Sequence, residues 1–145
     1  MTPFSTLSAA IQAQLAAQAA FAGVALIQED AGDVPARIEK EIGRIGMGVV
    51  LGVPDFSNQD PLANLVNARV RVPLTFMEAP PIWRSAPGKI HCADAAQAAA
   101  QALQGLVISG FQPLRVLRGR PVADKEAGPL QRYRLDLETM QIFGA

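Results

Sequence analysis

The chain has 145 residues; half are hydrophobic, 18% are charged, and its 13 basic and 13 acidic side chains cancel. This length is enough to build one core without metals, and the single cysteine, Cys92, excludes an internal disulfide. Zero net charge argues against a general nucleic-acid coat protein. No basic segment precedes an apolar run at the start, and no apolar run can span a bilayer. We therefore expect a single domain in a cytoplasm-like compartment.

The first third of the chain predicts two helices and two buried strands. Apolar side chains recur at steps of three and four in residues 4–21, which predicts an amphipathic helix. Residues 24–27 form a short apolar run typical of a buried strand. Asp33 is placed to cap a second helix that ends at Gly46. The continuous apolar run 47–53 then predicts a strand covered on both faces, in the interior of the sheet.

The middle of the chain predicts a loop, a strand and an irregular arm. Residues 55–67 are rich in turn-forming types, with a single helical turn expected at 62–66. Polar and apolar residues alternate in 69–76, as in a half-buried antiparallel strand. Pro73 lacks a backbone donor, so we expect a free edge or a bulge there. Three prolines in 79–89 exclude regular structure, which predicts an arm or long loop.

The last third predicts an alanine-rich helix over 92–106 and a closing hairpin of strands at 114–120 and 130–142. Along the second strand we expect the side chains that point inward, to the core, to be Tyr133, Leu135 and Leu137. Those that point outward, away from the core, are Arg132, Arg134, Asp136 and Glu138. The alternation changes phase after Leu137, which predicts a bulge near Glu138 or Thr139. The order α-β-α-β-β-α-β-β predicts one α+β domain over residues 1–145, with a single mainly antiparallel (mixed) sheet flanked by helices.

No motif predicts a cofactor. Gly46, Gly48 and Gly52 follow a predicted helix and enter a strand, the reverse of a dinucleotide-binding loop, so helix termination and close packing explain them better. Pro87-Gly88-Lys89 precedes a helix but lacks the first glycine and the Ser or Thr of a phosphate loop. We therefore expect no bound cofactor and no metal.

The strongest reactive cluster is His91, Cys92 and Asp94 at the predicted start of the third helix. A thiol at a helix N-terminus can act as a nucleophile, which makes a small α+β enzyme an alternative. The favoured interpretation is a capped helix start with a semi-buried cysteine, because Asp94 is explained by the helix dipole alone. A free-standing α+β module that binds a small ligand or an acidic partner is a further alternative.

Ten of the thirteen basic residues are arginine. Arginine is favoured where bidentate contacts are made across interfaces. The arginines of the hairpin are explained equally well if they lie on a solvated face of the sheet and form ion pairs with Asp136 and Glu138. Trp83 is either an interface anchor or a residue folded on its own core, and hot-spot composition favours the anchor. We expect the interface to include residues of the arm, the hairpin and its charged tip: Trp83, Arg84, Arg115, Arg118, Arg120, Asp124, Lys125 and Glu126.

The whole pattern resembles the tail terminator and tail-completion (minor tail, head-tail joining) proteins of long-tailed bacteriophages and prophages. The resemblance rests on the leading helix, Arg44-Ile45-Gly46 entering the apolar strand 47–53, the strand reaching Phe76-Met77-Glu78, the proline-bearing arm with Arg84, and the charged hairpin. Where related phage sequences carry an Asn-Arg pair in the arm, this chain has Trp83-Arg84.

The resemblance implies a non-enzymatic structural protein of the virion tail, assembled in the host cytoplasm. Such proteins form a hexameric ring that caps the tail tube, stops its polymerisation and joins it to the head connector. The implied partners are further copies of the chain, the tube protein and the connector or neck protein, with no membrane and no sequence-specific nucleic acid, although DNA would pass through the ring. Another phage neck or tail-completion protein is the alternative within the same class.

Overall fold

A computed structural model describes residues 3–29, 32–59, 68–78, 91–122 and 130–141. The elements in chain order are α1 (Pro3–Ala16), a 3-10 turn (Ala19–Phe21), β1 (Leu26–Gln28), α2 (Val34–Ile45), β2 (Met47–Leu51), β3 (Asp55–Asn58), β4 (Ala68–Glu78), α3 (Cys92–Leu103), β5 (Arg115–Pro121) and β6 (Gln131–Met140). The α+β class and the predicted order are confirmed, with β3 added where a loop was expected. The expected helical turn at 62–66 and the arm at 79–89 lie outside the described residues.

The strands form one mixed sheet in the order β1-β2-β4-β6-β5, and β3 pairs with the first part of β4. The β1–β2 pair is parallel and every other pair is antiparallel. A parallel pair needs a crossover connection, and α2 supplies it. All five residues of β2 are buried, because strands cover both its edges and helices cover both its faces, as its continuous apolar run predicted.

The two faces of the sheet are covered to different extents. One face carries the main core, in which α1 and α3 pack on alternate residues of β4 such as Val70, Leu74 and Phe76. Alanines on the inner side of α3 allow the helix backbone to approach the sheet closely. On the opposite face, α2 packs on Ile27, Val50 and Met77 near the β1 edge. The β4–β6–β5 part of that face beyond Met77 is covered by no helix of the described chain.

The ends of α2 follow from two residues. The Asp33 carboxylate accepts the backbone N–H of Ala36 at 3.2 Å, which is the expected N-cap. Gly46 has a φ of 81°, a left-handed conformation that favours glycine, and its N–H bonds to the Ile42 carbonyl. Both predicted helix boundaries are confirmed.

No helix of the described residues is long and apolar enough to cross a membrane.

Pro73 explains the interruption between β2 and β3. The two strands pair with β4 on either side of it, and the three residues 52–54 face only two residues of β4. The N–H of Gly52 donates a hydrogen bond to the Pro73 carbonyl at 2.8 Å. The Pro73 nitrogen, which carries no N–H, therefore faces the same interruption. A Cβ at Gly52 would overlap the Pro73 ring and lie 3.0 Å from its carbonyl oxygen. The irregularity was expected on the strand that carries Pro73, but β4 pairs with β6 there without a register shift, and the extra residue lies on the neighbouring strand between β2 and β3.

The bulge predicted near Glu138 or Thr139 is wrong. β6 pairs with β4 over its full length without a register shift, and the irregularity lies on β5, at residues 116–118. Thr139 is buried and continues the inward series, because its hydroxyl donates a hydrogen bond to the Gln112 carbonyl at 2.6 Å. The sequence could not indicate this position, since the hydroxyl partner belongs to a separate loop.

Candidate functional site

The uncovered part of the sheet carries seven arginines. In β4 the odd-numbered residues point away from the main core, and their partners on β6 and β5 share that side of the sheet. We call this surface the arginine face, defined by Arg69, Arg71, Arg115, Arg118, Arg120, Arg132 and Arg134 with the carboxylates Asp55, Asp136 and Glu138. Seven cations and three anions give it a formal charge of +4, in a chain whose net charge is zero.

Glu138 lies at one end of this face, in a cross-strand row between Arg71 and Arg115. Its carboxylate accepts a hydrogen bond from Arg115 Nη2 at 2.5 Å and from Arg71 Nε at 3.2 Å, and Arg69 Nε lies 3.8 Å away. The residue is only 3% exposed, because the arginine side chains cover it. It points outward as predicted, but it is not solvated.

The environment of Glu138 keeps it ionised. Burial of the carboxyl group would raise its pKa, but the hydrogen bonds from Arg115 and Arg71 and the charge of Arg69 outweigh burial and lower the pKa below its ordinary value. The negative charge is therefore present at neutral pH. It neutralises part of the cation cluster and joins β4, β6 and β5 on this side of the sheet.

Asp136 lies in the next row and leaves the arginines in excess. Arg134 Nε donates to Asp136 at 2.7 Å, and Arg118 Nε lies 3.6 Å from its other oxygen. Arg120 pairs across the strands with Arg134, so two like charges face each other, an unfavourable arrangement. Within the described chain, no carboxylate lies within ion-pair distance of Arg120 or Arg132, and the buried Nε of Arg132 has no hydrogen-bond partner. Arg120 and Arg132 thus present cationic donors that no acid of the described residues pairs with.

A concavity of about 400 Å³ opens on the arginine face. Arg71, Arg118 and Arg134 line it on the charged side. Val53 and Leu117 also line it, and they are 52% and 43% exposed, among the most exposed large apolar residues described. Exposed apolar side chains next to several arginines are the composition of a protein-interaction surface.

The structure describes three of the eight residues of the predicted interface, and the interface itself stays a prediction. Arg115, Arg118 and Arg120 all lie on the arginine face, and Arg115 and Arg118 make the pairs with Glu138 and Asp136 that the solvated interpretation predicted. Five predicted interface residues lie outside the described residues: Trp83, Arg84, Asp124, Lys125 and Glu126. Sequence reasoning placed Arg69 and Arg71 on the polar side of their strand, but it did not join them to the hairpin, because the β4–β6 pairing is long-range.

The alternative catalytic cluster has a different arrangement from the one predicted. Cys92 Sγ donates to the Glu78 carboxylate at 3.3 Å, and His91 Nδ1 lies 3.3 Å from the other Glu78 oxygen. Burial, followed by the hydrogen bond to Glu78, raises the pKa of the Cys92 thiol to about 12. Cys92 is therefore protonated at neutral pH and supplies no thiolate nucleophile.

The remaining cluster residues also have structural explanations. His91 occupies the N-cap position of α3, but its side chain makes no capping bond and turns to Glu78 instead. Asp94 is exposed in the first turn of α3, where the helix dipole favours an acid. Sequence reasoning missed Glu78 because only the fold places the end of β4 beside the start of α3. No group of three or more His, Cys, Asp or Glu among the described residues is arranged to hold a metal ion.

No protein-family model and no curated protein matches the chain. Several solved structures share its fold, and two of them illustrate the likeness. One is a chain of the virion of a native gene transfer agent (GTA) particle, with a TM-score of 0.64 and 23% sequence identity over 97% of this chain and 98% of that chain. The other, which carries no descriptive name, has a TM-score of 0.61 and 11% identity over 97% and 94%. Both likenesses are nearly end to end, so the fold is shared over the whole length of these chains.

Proposed function

We propose that this chain is a structural virion protein of a phage-like particle: a tail terminator that forms a hexameric ring on the tail tube, stops its polymerisation and joins it to the head connector. The observation that carries the proposal is the end-to-end fold likeness to a chain of a GTA virion. The element order and local sequence texture that resemble tail terminators point in the same direction.

The surface of the subunit is compatible with this role. A ring built from one kind of subunit needs two different surfaces that complement each other. The arginine face supplies an exposed surface with an excess of cations and with exposed apolar side chains, as such a contact requires. The buried, protonated Cys92 gives no corresponding support to the enzyme alternative.

Electron microscopy of particles from a strain that lacks the gene tests the proposal. Without a terminator, we expect tails of irregular, excessive length and heads without tails, both corrected when the wild-type chain is supplied in trans. Tails of normal length that fail to join heads would assign the chain to another neck or tail-completion role. Normal, joined tails would contradict a structural role in the tail.

A matched variant separates the structural role from the enzyme alternative. Cys92→Ala removes the only thiol of the chain. If the chain acts as a structural protein, this variant should restore normal tails as well as the wild type does. Failure of a folded Cys92→Ala protein to restore them would favour chemistry at the cluster.

A further inference from the structure

The acids of the arginine face lie together in one part of it. Side chains of the face form cross-strand rows, and all three acids belong to the two successive rows of Glu138 and Asp136. The next row holds Arg134 opposite Arg120, and the row after it holds Arg132. No described residue of these two rows is an acid. We call Arg120, Arg132 and Arg134 the acid-free end of the face.

The acid-free end has little internal compensation for its charge. Of its arginines, only Arg134 bonds to an acid of the described residues, Asp136, at 2.7 Å. Arg120 faces Arg134 across the strands, and like charges in that position destabilise a sheet. The Nε of Arg132 is buried and has no hydrogen-bond partner in the described chain. An anion bound from outside would supply the missing partners, so a negatively charged ligand gains most at this end of the face.

We propose that the acid-free end binds an acidic, extended segment of another virion protein, with an apolar side chain of that segment in the adjoining concavity. The source of the segment rests on the proposed virion role, whereas the chemistry of the site rests on the subunit alone. Side chains two residues apart on an extended chain lie on one side of it, about 6.8 Å apart. Arg132 and Arg134 have this spacing along β6, so carboxylates at alternate positions of the segment match them.

The surroundings of the acid-free end favour a protein over a nucleic acid. The concavity beside it is lined by the exposed Val53 and Leu117, and apolar contacts are more typical of protein interfaces than of nucleic-acid interfaces. Asp136 lines the same concavity, and the Val53 N–H donates to the Glu29 carboxylate at 3.1 Å. A phosphate backbone carries a charge at every nucleotide and would pass over these acids, whereas a protein segment can place its carboxylates opposite the arginines alone.

Binding of short peptides to the full-length chain, followed by fluorescence anisotropy, tests the site. The probe is an end-capped, dye-labelled peptide with glutamate at alternate positions and one leucine, and its control has glutamine in place of every glutamate. We expect the glutamate peptide to bind at least about tenfold more tightly, because only carboxylates form charge-assisted bonds with arginine. Its affinity should fall at least about tenfold from roughly 0.1 M to 1 M salt, because the Debye length shrinks from about 10 to 3 Å. Equal binding of the two peptides, or no binding at roughly millimolar concentration, overturns the proposal.

Two charge-matched variants locate the binding, because each replaces one exposed cation by an anion. Arg120→Glu places a carboxylate opposite Arg134, so it should raise Tm while it weakens binding of the glutamate peptide at least about tenfold. Lys40→Glu, on α2 and outside the arginine face, should change that affinity less than about twofold, because distant exposed charges are screened. A folded Arg120→Glu protein that binds the peptide as the wild type does, or equal weakening by both variants, overturns the site.

Other occupants of the acid-free end give different results, and each of these results overturns the proposal. A labelled DNA duplex that binds more tightly than the glutamate peptide, and no longer binds Arg120→Glu, would identify a nucleic acid. Self-association of the wild-type chain that Arg120→Glu abolishes and the peptide does not displace would identify a second copy. A rise of at least about tenfold in peptide affinity in Asp124→Asn with Glu126→Gln would identify acids of the chain itself.

The peptide results are separate from the test of the proposed function. A tail defect in the deletion strain together with equal binding of the two peptides would retain the terminator role and reject this site. Normal joined tails together with selective peptide binding would retain the site and reject a virion protein as its partner. If both proposals hold, Lys40→Glu should restore joined tails in the deletion strain and a folded Arg120→Glu should not.

Discussion

Replacing Glu138 by Gln removes one charge and little volume from the arginine face. Exposed ion pairs contribute about 0–1 kcal/mol, whereas breaking a fully buried pair costs about 3–5 kcal/mol. The Glu138 side chain is 4% exposed, but those of Arg71 and Arg115 are 57% and 62% exposed, so their guanidinium groups can turn to water. We therefore expect an intermediate loss of about 2 kcal/mol, or roughly 6 °C in Tm for a chain of this size.

Urea and thermal unfolding at neutral pH measure this loss, and Asp136→Asn is the matched control. Asp136 is more exposed and has two arginine neighbours instead of three, so its loss should cost about 1 kcal/mol or less. A free energy of unfolding for Glu138→Gln within about 0.5 kcal/mol of the wild-type value, with the same slope against urea concentration, would refute the idea that this carboxylate holds the three strands together.

The effect of Glu138→Gln should also depend on pH. Because the folded-state pKa of Glu138 is lowered, its contribution to stability is present above the unfolded pKa and is lost as pH falls through the folded pKa. The difference between wild type and Glu138→Gln should therefore shrink below about pH 4.5, the ordinary carboxyl value. A difference that stays constant from neutral to acidic pH would mean that shape, not charge, accounts for the loss.

Three further changes test separate parts of the structure. Gly52→Ala should lower the free energy of unfolding in urea by about 2 kcal/mol, because its Cβ meets the Pro73 ring. Gly43→Ala, with open space around it, should raise that free energy by about 1 kcal/mol, because alanine has the higher helix propensity. Equal effects of the two changes would contradict the close approach of Gly52 to Pro73. Cys92→Ala should lower the free energy of unfolding by about 1 kcal/mol or less at neutral pH. The raised pKa of the thiol favours the folded state only while the thiol is protonated, so the wild type should lose stability relative to the variant above pH 9. Shortening residues 122–127 to a tight turn should leave thermal unfolding unchanged but impair head-to-tail joining in an infectivity assay; full infectivity would make the loop a passive connection.

Local pattern was sufficient for most elements of this fold. The apolar run of β2, the alternation in β4 and the caps of α2 depend on residues close together in the chain, so their elements could be predicted from sequence. The exposed β3 could not, because its four residues carry no apolar pattern and form a strand only through pairing with β4. Thr139 was misplaced for a related reason, since its hydrogen-bond partner is distant in sequence.

The candidate site divides in the same way. The excess of arginine and the net neutrality of the chain are properties of the sequence alone, and they already pointed to contacts with carboxylates or phosphates. Which arginines lie together was decided by the pairing of β4 with β6, two strands more than fifty residues apart. That pairing buries Glu138 among three cations, and it leaves Arg120 without an acid among the residues that the structure describes. Charge is additive along a sequence, but the energy of charges depends on their distances, and only the folded sheet sets those distances.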